Sequence, residues 1–214
     1  MKVSENQQPL ISIDVVPVRF NKATGQVEIG TGRRVFEPFV GDEALPGVLL
    51  MQGESIEHGA QRALNSKTGI LSEHSGHLAQ LGAFDGTNRD PRGATISIAL
   101  LAVTEFGRTP STRVTWTPVR ELSDLPFDHD NIVKAAVARL SQVLWTNIEV
   151  TQHLLGKTFS TSEALALCEA LDSWPTHVTN FGRWLASYKA VTKVEEVAKS
   201  AGRSGRPSAV WRWV

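Results

Sequence analysis

The spacing of hydrophobic residues predicts strands in the first half of the chain. Residues 10–20, LISIDVVPVRF, alternate in part between apolar and polar positions, as a half-buried strand does. The turn-forming segment NKATGQ follows, and residues 27–36 are predicted to return as the second strand of a hairpin. Residues 77–84 and 94–106 are further strand candidates. The second of these is almost continuously apolar, which indicates a central strand buried on both faces.

Two longer segments have helical spacing instead. Residues 54–68 place apolar side chains three and four positions apart, with Ser55 as the candidate N-cap and Gly69 as the stop signal. Residues 128–145 form a second amphipathic pattern that begins in an Asp-rich turn. Strands, a helix, further strands and a closing helix together predict a mixed α/β fold built in layers.

The pattern changes after residue 146. Ser160 is predicted to cap a short helix, and Glu163, three residues later, completes a capping box. A second helix is predicted over residues 176–188, with Phe181 among its inward apolar residues. Two β-prone runs, VTKVEEVA and SAVWRWV, then flank the basic segment KSAGRSGRP. Helix, turn, helix and basic hairpin is the order of elements in a winged helix.

The charge distribution supports a division of the chain into residues 1–146 and residues 147–214. The whole chain carries 22 basic and 22 acidic residues, but residues 151–214 have eight basic against five acidic ones, a net charge of +3. The first 150 residues have 14 basic against 17 acidic ones, a net charge of −3. A basic C-terminal part behind an acidic body is typical of a two-domain protein whose end binds anions.

Composition narrows the class of protein further. Hydrophobic residues make up 41% of the chain, enough to bury a core. The single cysteine, Cys168, excludes an internal disulfide framework and a multi-cysteine zinc site, and its apolar helical surroundings predict a buried structural thiol. No apolar run approaches the ~18 residues of a membrane span. The N-terminus is too polar for a signal peptide, so we expect a cytoplasmic protein.

Residues 45–70, LPGVLLMQGESIEHGAQRALNSKTGI, resemble the Nudix box G-x5-E-x7-R-E-U-x-E-E-x-G-U, in which U is a large aliphatic residue. The matching positions are Glu54, Arg62, Leu64, Gly69 and Ile70, and Val48 replaces the first glycine. The remaining glutamate positions hold Ala63, Ser66 and Lys67. In the family those glutamates bind magnesium, and the ammonium of Lys67 would repel a dication. The resemblance therefore implies a Nudix-like domain with no metal site and no catalytic residues.

Three neighbouring segments extend the resemblance. Residues 33–47 are similar to the segment that precedes the box, and residues 81–103 and 116–132 are similar to segments of members that recognise ADP-ribose. Arginine can bridge phosphate or ribose oxygens with two N–H groups. The resemblance thus implies a nucleotide-effector site at Arg33, Arg34, Arg89, Asp90, Arg92 and His129. Solvated loop arginines at 89 and 92, and a hydrogen bond at a helix start for position 129, are the alternatives.

The C-terminal pattern places another set of polar residues where a winged helix contacts DNA. Its second helix would lie in the major groove, and its basic loop would offer positive charge to phosphates or to a minor groove. The candidate DNA-binding residues are His177, Thr179, Asn180, Arg183, Lys199, Arg203 and Arg206. Trp184, on the same helix, is predicted to pack rather than to read bases.

Over almost the whole chain this architecture is similar to NrtR, the family of Nudix-related transcriptional regulators of NAD metabolism. The segments FDHDNI, FSTSEAL and GRPSAVWRW follow that family's layout. The resemblance implies a Nudix-like α/β/α sandwich followed by a C-terminal winged helix-turn-helix. It also implies a homodimer that binds a palindromic operator and a nucleotide such as ADP-ribose. We therefore expect a repressor of NAD biosynthesis or salvage genes that is not an enzyme and uses no cofactor.

Two other functions stay open on the sequence. An active, metal-dependent ADP-ribose pyrophosphatase would have to recruit Glu54, Glu57 or Asp85 in place of the missing glutamates. Alternatively, the C-terminal module would bind a protein rather than DNA.

Overall fold

Strand β1 (Leu10–Asn21) organises the larger sheet of the protein. One edge of β1 pairs in parallel with β6 (Thr95–Thr104). The other edge pairs in antiparallel fashion with β2 (Gln26–Arg33) at the C-terminal end of β1 and with β4 (Gly47–Leu49) at its N-terminal end. Because β2 and β4 share one edge of β1, the sheet divides there.

The computed structural model describes residues 8–86, 89–105, 107, 111–173, 178–194 and 208–214. Within these residues the larger sheet has seven strands. Its three remaining strands are β3 (Glu43–Ala44), β5 (Ser75–Phe84) and β7 (Val114–Pro118). Strands β3 and β7 pair with β2, and β5 pairs with β6, all antiparallel. The predicted central position of the apolar strand, β6, is confirmed.

Helices cover both faces of this sheet. Alternate residues of β1 and β6 point to opposite sides, so each strand contributes to two cores. On one side, α1 (Ile56–Thr68) packs on apolar residues that include Ile13 and Leu100. On the other side, α2 (His129–Val143) packs on residues that include Val16 and Leu101. The predicted mixed α/β layer fold is therefore confirmed.

The ends of α1 follow the local signals in the sequence. The Ser55 hydroxyl accepts a hydrogen bond from the His58 backbone N–H, as an N-cap does. Gly69 ends the helix in a left-handed conformation with φ of 72°, which glycine adopts without steric cost. Both predicted helix boundaries are confirmed to within two residues.

Strand β2 is shorter than predicted, since it ends at Arg33 rather than at residue 36. A turn follows in which the backbone of Arg34 bonds to Asp42 and Gly41, and the Arg34 side chain donates to the carbonyls of Pro38 and Phe36. These bonds close the chain into a loop. The apolar side chains of this segment are consequently exposed rather than buried in a sheet.

The C-terminal part is a second group of elements around a small sheet. Its members are α3 (Ile148–Leu155), β8 (Thr158–Ser160), α4 (Thr161–Ala170), α5 (Val178–Ser187), β9 (Val191–Val194) and β10 (Val210–Trp213). Strand β10 lies between β8 and β9 and is antiparallel to both. The predicted helices and strands are confirmed where the structure describes them, whereas α3 and β8 were not anticipated. The end of the run VTKVEEVA and the basic segment KSAGRSGRP lie outside the described residues.

The predicted capping box at the start of α4 is confirmed. The Glu163 backbone N–H donates to the Ser160 hydroxyl over 3.1 Å, and the Ser160 backbone N–H donates to the Glu163 carboxylate over 2.6 Å. Two N–H groups that the helix itself leaves without acceptors are thereby bonded. The short helix is fixed at its N-terminus by this local pair.

Trp145 joins the two parts of the protein. It follows the C-terminal end of α2, and its ring lies within 5.2–6.1 Å of five aromatic rings of the C-terminal part, those of Phe159, Phe181, Trp184, Tyr188 and Trp213. Its indole N–H donates to the Cys168 sulfur. The cysteine is buried, as predicted, and burial raises the pKa of its thiol. One buried cluster runs from the large sheet through this tryptophan into the C-terminal helices.

None of the helices formed by the described residues has the length and apolar character needed to cross a bilayer.

Candidate functional site

A cleft of about 450 Å³ opens where β2 and β4 separate. The residues that line it come from these strands, from α1, from the turn before β6 and from the start of α2. All six residues predicted for an effector site lie along this cleft: Arg33, Arg34, Arg89, Asp90, Arg92 and His129. Segments far apart in the sequence thus meet at the split edge of the sheet.

A buried ionic network forms the floor of the cleft. The Arg89 guanidinium donates to Asp128 over 2.7 and 3.1 Å and to Asp14 over 3.4 Å. The hydroxyls of Ser97 and Ser12 also donate to the Asp14 carboxylate. Burial alone would lower the pKa of Arg89, but its two carboxylate partners outweigh burial and hold the pKa above its ordinary value. Arg89 is therefore a fixed, neutralised cation rather than a solvated loop arginine.

His129 is held by the neighbouring strand segment rather than by its own helix. Its Nδ1 accepts the backbone N–H of Leu45 over 3.1 Å, and its Nε2 lies 3.8 Å from the Asp14 carboxylate. Burial lowers the pKa of this histidine, although Asp14 and Asp128 oppose the shift. A neutral imidazole with its proton on Nε2 fits both contacts.

The Asp14 carboxylate occupies the space that a side chain at position 47 would need. A Cβ built on Gly47 would lie 2.1 Å from Asp14 Oδ1. Because the network holds Asp14 in place, Gly47→Ala is expected to lower the free energy of unfolding by about 1–3 kcal/mol. Chemical denaturation measures this, with Gly86→Ala as a control at a glycine where a Cβ meets only an ordinary van der Waals contact and where the φ angle lies outside the left-handed region. A loss no larger than the control's would show that Asp14 can move away freely.

The opposite wall of the cleft combines aromatic and cationic groups. The guanidinium of Arg34 lies 4.8 Å from the ring centre of Phe127, and that of Arg92 lies 5.7 Å from it. Arg92 also donates to the Asp90 carboxylate over 2.7 and 3.0 Å. Burial lowers the pKa of Arg34, and the positive charge of Arg92 adds to this shift. This wall offers a flat ring and N–H donors to a ligand.

Glu54 and Arg62 of the Nudix-like box pair with each other. Arg62 donates to both oxygens of Glu54 over 2.7 Å and also to the carbonyl of Leu49. The backbone N–H of Met51 donates to the same carboxylate. The bonds to Arg62, followed by that to Met51, lower the pKa of Glu54 to about 2. The carboxylate is thus committed to fixing the loop between β4 and α1.

This pair predicts a pH dependence of stability. The folded-state pKa of Glu54 lies below its ordinary value of 4.5, so its contribution is present above pH 4.5 and is lost as the pH falls towards 2. Over that interval the free energy of unfolding of Glu54→Gln is expected to fall less steeply than that of the wild type. Denaturation series at several pH values measure the slopes. Glu57→Gln, which removes an exposed carboxylate in the first turn of α1, is the matched control, and equal slopes for wild type and Glu54→Gln would contradict the assignment.

The helix face that holds metal in the Nudix box does not suit a metal here. Ala63 is fully buried, Ser66 is exposed, and Lys67 brings a positive charge to the cleft. The described residues contain no group of three or more histidine, cysteine, aspartate or glutamate side chains able to hold a metal ion. Glu54, Glu57 and Asp85 accordingly do not converge into a replacement site. The residues present do not fit magnesium.

The predicted DNA-binding residues can be followed in part. Asn180 and Arg183 are exposed on α5, while Phe181 on the same helix is buried. Trp184 packs on Trp145, as predicted. Of Thr179 the structure describes only the helical backbone. Four candidates lie outside the described residues: His177, Lys199, Arg203 and Arg206.

Three components of the cleft were not predicted from the sequence. Asp14 and Asp128 bind Arg89, and Phe127 carries the aromatic wall. An aspartate inside the mostly apolar strand β1 was a usable signal for Asp14, because aspartate is rarely buried without a partner. The role of Phe127 depends on the packing of two loops, for which the sequence has no local signal.

Comparison with known proteins identifies relatives over both parts of the chain. No protein-family model matches. Over 98% of its length the chain is 27% identical to the ADPR responsive transcriptional repressor NtrR of Acinetobacter baylyi, and it covers 84% of that protein. Over 130 residues it is 28% identical to the ADP-ribose pyrophosphatase of Methanocaldococcus jannaschii, which corresponds to 59% of this chain and 72% of that enzyme.

Solved structures share the complete fold. Shewanella oneidensis NrtR complexed with a 27mer DNA matches with a TM-score of 0.76 at 21% identity, over 95% of this chain and 93% of that one. The NUDIX domain of the same protein complexed with ADP ribose matches with a TM-score of 0.55 at 24% identity, over 63% and 90% of the two chains. At these identities the structural match establishes the fold.

The larger sheet, its two helical layers and the cleft have the fold of a Nudix domain, here followed by a C-terminal part. Over nearly its whole length the chain is similar in sequence to the ADPR responsive transcriptional repressor NtrR and in fold to NrtR. The class of protein that it resembles is thus that of the Nudix-related transcriptional regulators.

Proposed function

We propose that this protein is a DNA-binding transcriptional repressor whose Nudix-like domain senses ADP-ribose or a closely related nucleotide. The observation that carries the proposal is the similarity to an ADPR responsive repressor over 98% of the chain, both parts included. The cleft supports it, since its lining combines several arginines with an aromatic ring. Arginine N–H groups suit phosphate and ribose oxygens, and a ring suits a nucleobase. The regulated genes in this proposal are those of NAD biosynthesis or salvage.

The proposal assigns residues 1–146 to the effector domain and residues 147–214 to a winged helix-turn-helix. The order of α4, α5 and the β9–β10 pair supports the second assignment, as does the exposure of Asn180 and Arg183 on α5. Two such modules in a homodimer would read a palindromic operator, with half-sites about one helical turn apart. The chromosomal target implies a cytoplasmic location.

The proposed mechanism is linkage between two binding equilibria. A nucleotide that binds more tightly to a dimer geometry unable to span the operator shifts the population away from DNA. The shift cannot exceed the nucleotide's differential affinity for the two geometries. Because the helix face of the box lacks metal ligands, the nucleotide would be bound without being hydrolysed, and the signal would persist.

Fluorescence anisotropy with labelled DNA tests the proposal. DNA from upstream of the protein's own gene and of neighbouring NAD-biosynthesis genes is titrated with the full chain, with and without ADP-ribose. We expect specific binding that ADP-ribose weakens at least about fivefold, the lower end of typical coupling between sites. Specific binding that ADP-ribose leaves unchanged would exclude it as the effector, and binding no tighter than to random DNA would exclude the repressor.

Two substitutions separate phosphate contacts from base contacts. Arg206→Ala is expected to weaken binding to operator and random DNA alike and to reduce the slope of log affinity against log salt by about 1. Asn180→Ala is expected to cost about 1–3 kcal/mol on the operator and little on random DNA, because a lost base contact changes sequence preference. Anisotropy titrations on both DNAs at several salt concentrations measure this. Equal losses on both DNAs for both variants would contradict the assignment.

A second candidate function is hydrolysis of ADP-ribose. It is favoured by the similarity to a pyrophosphatase over 130 residues. A turnover assay at high enzyme concentration with magnesium and ADP-ribose decides between the two. AMP release that Glu54→Gln abolishes would favour the enzyme, whereas absence of AMP would favour the sensor.

A further inference from the structure

The cleft contains positive charge where the Nudix box would hold a cation. Lys67 occupies the position of a metal-binding glutamate, at the last turn of α1, and lines the cleft. Arg33, at the end of β2, lines the same cleft. Two side chains that each carry one positive charge therefore border the region where the box would place a dication.

The other four arginines of the cleft already have hydrogen-bond acceptors, which are carboxylates for three of them and backbone carbonyls for the fourth. Arg62 pairs with Glu54, Arg92 pairs with Asp90, and Arg89 pairs with two aspartates of the floor. Arg34 donates to two backbone carbonyls of its own loop. In the part of the chain that the structure describes, neither Arg33 nor Lys67 has a carboxylate partner. These two cations are free to bind an anion.

The backbone brings the two cations together. A Cβ at Gly32, next to Arg33, would lie 2.8 Å from the carbonyl oxygen of Lys67, so the end of β2 and the end of α1 are in close contact. Arg113 donates to the carbonyls of Ser66 and Asn65 and thereby fixes the C-terminal turn of α1. The Lys67 ammonium lies 6.0 Å from the ring centre of Phe36, which is 71% exposed. The backbones that carry both cations are fixed, while the side chains remain accessible.

We propose that Arg33 and Lys67 form a metal-independent diphosphate site in which the Lys67 ammonium replaces the dication of the Nudix box. A diphosphate diester carries one negative charge on each phosphoryl group, which matches two monovalent cations. An ammonium neutralises and orients phosphate oxygens, but unlike a metal ion it does not lower the pKa of a bound water. The site therefore binds a diphosphate and leaves its P–O–P bond intact. The identification of the diphosphate as ADP-ribose rests on the proposed function.

Calorimetric titration of the full chain in EDTA tests this site. ADP-ribose and methylenediphosphonate, a small diphosphate analogue whose P–C–P link cannot be hydrolysed, are titrated into the wild type and three variants. Lys67→Met removes the charge at similar length, and Lys67→Arg restores it. Lys134→Met removes an exposed lysine of α2 outside the cleft and is the matched control. Thermal unfolding of each variant checks that the fold is retained.

We expect Lys67→Met to weaken both ligands about ten- to a hundredfold, the range of a hydrogen bond between charged groups. Lys67→Arg should recover most of the affinity, and Lys134→Met should bind as the wild type does. Replacing EDTA by magnesium should change the wild-type affinity for ADP-ribose by less than about threefold, since the described residues provide no group of side chains able to hold a metal ion. Wild-type affinity for both ligands in a folded Lys67→Met variant, or binding of ADP-ribose only with magnesium, would overturn the proposal.

The two ligands distinguish failure of this site from failure of the proposed effector. If methylenediphosphonate binds in a Lys67-dependent way and ADP-ribose does not bind, the diphosphate site stands and ADP-ribose is the wrong effector. If neither ligand binds in EDTA, the diphosphate site is wrong. Repression then remains testable on its own through specific binding of operator DNA.

Discussion

Trp145→Ala is expected to lower the free energy of unfolding by about 3–5 kcal/mol, the range for removing a large aromatic side chain from a core. The residue is 6% exposed, and its ring packs against five aromatic rings. Removing it leaves a cavity that the surrounding rings, held in place by α4, α5 and β10, can close only in part. Denaturant unfolding measures the loss. A midpoint close to that of the wild type would contradict the central role of this residue.

Two control variants isolate the cause of this loss. Trp145→Phe keeps an aromatic ring but removes the hydrogen bond to Cys168, and we expect it to cost less than half as much as the alanine variant. Leu10→Ala, at a residue that is 56% exposed, should change stability by less than about 0.5 kcal/mol. Equal losses for the phenylalanine and alanine variants would assign the effect to the hydrogen bond rather than to packing.

Arg89→Ala is expected to be equally damaging, with a loss of about 3–5 kcal/mol, because it leaves a buried carboxylate without its counter-charge. The side chains of Arg89 and Asp14 are only 4% and 8% exposed. After truncation, Asp14 retains the hydroxyls of Ser12 and Ser97, and its neighbour His129 is held neutral because burial lowers the pKa of the imidazole. Urea denaturation of the variant measures the loss.

Arg120→Ala is the matched control for this prediction. It removes an arginine that also pairs with an aspartate but lies at the surface, since the side chains of Arg120 and Asp172 are 69% and 90% exposed. An exposed pair contributes on the order of 0–1 kcal/mol, so the control should unfold close to the wild type. If Arg89→Ala lost no more stability than Arg120→Ala, the floor of the cleft would not depend on the buried charge.

Helix α2 connects the two regions that these predictions concern. His129 at its N-terminus lines the cleft, and Trp145, just beyond its C-terminus, lies in the aromatic cluster of the C-terminal part. A helix of 15 residues spans about 22 Å at 1.5 Å per residue. The proposed effector site and the C-terminal domain are thus joined by a single rigid element. Helix α2 is therefore a direct structural connection through which nucleotide binding would affect DNA binding.

Several strands and helix starts could be predicted from the sequence because the interactions that determine them act between residues only a few positions apart. Alternation and apolar runs placed β1, β5 and β6, and side-chain bonds three residues apart placed the starts of α1 and α4. The short helix α3 was missed because it follows α2 after a brief turn and no separate periodic signal marks it. For the cleft, the resemblance to the Nudix box named residues that the structure does bring together. The contacts that these residues make in the cleft, such as the buried ion pairs of Arg89, were not predicted.

The sequence by itself determined the layered α/β class, the capped helices, the basic C-terminal part and the loss of the metal-binding glutamates. These follow from residue identity and from spacings of two to four positions. Only the tertiary structure decided that Arg89 is buried between Asp14 and Asp128 while Arg33 and Lys67 remain without carboxylate partners among the described residues. Arg89 and Asp14 are 75 positions apart in the chain. Their contact exists because strand pairing sets β1 beside β6, and no local pattern carries that information.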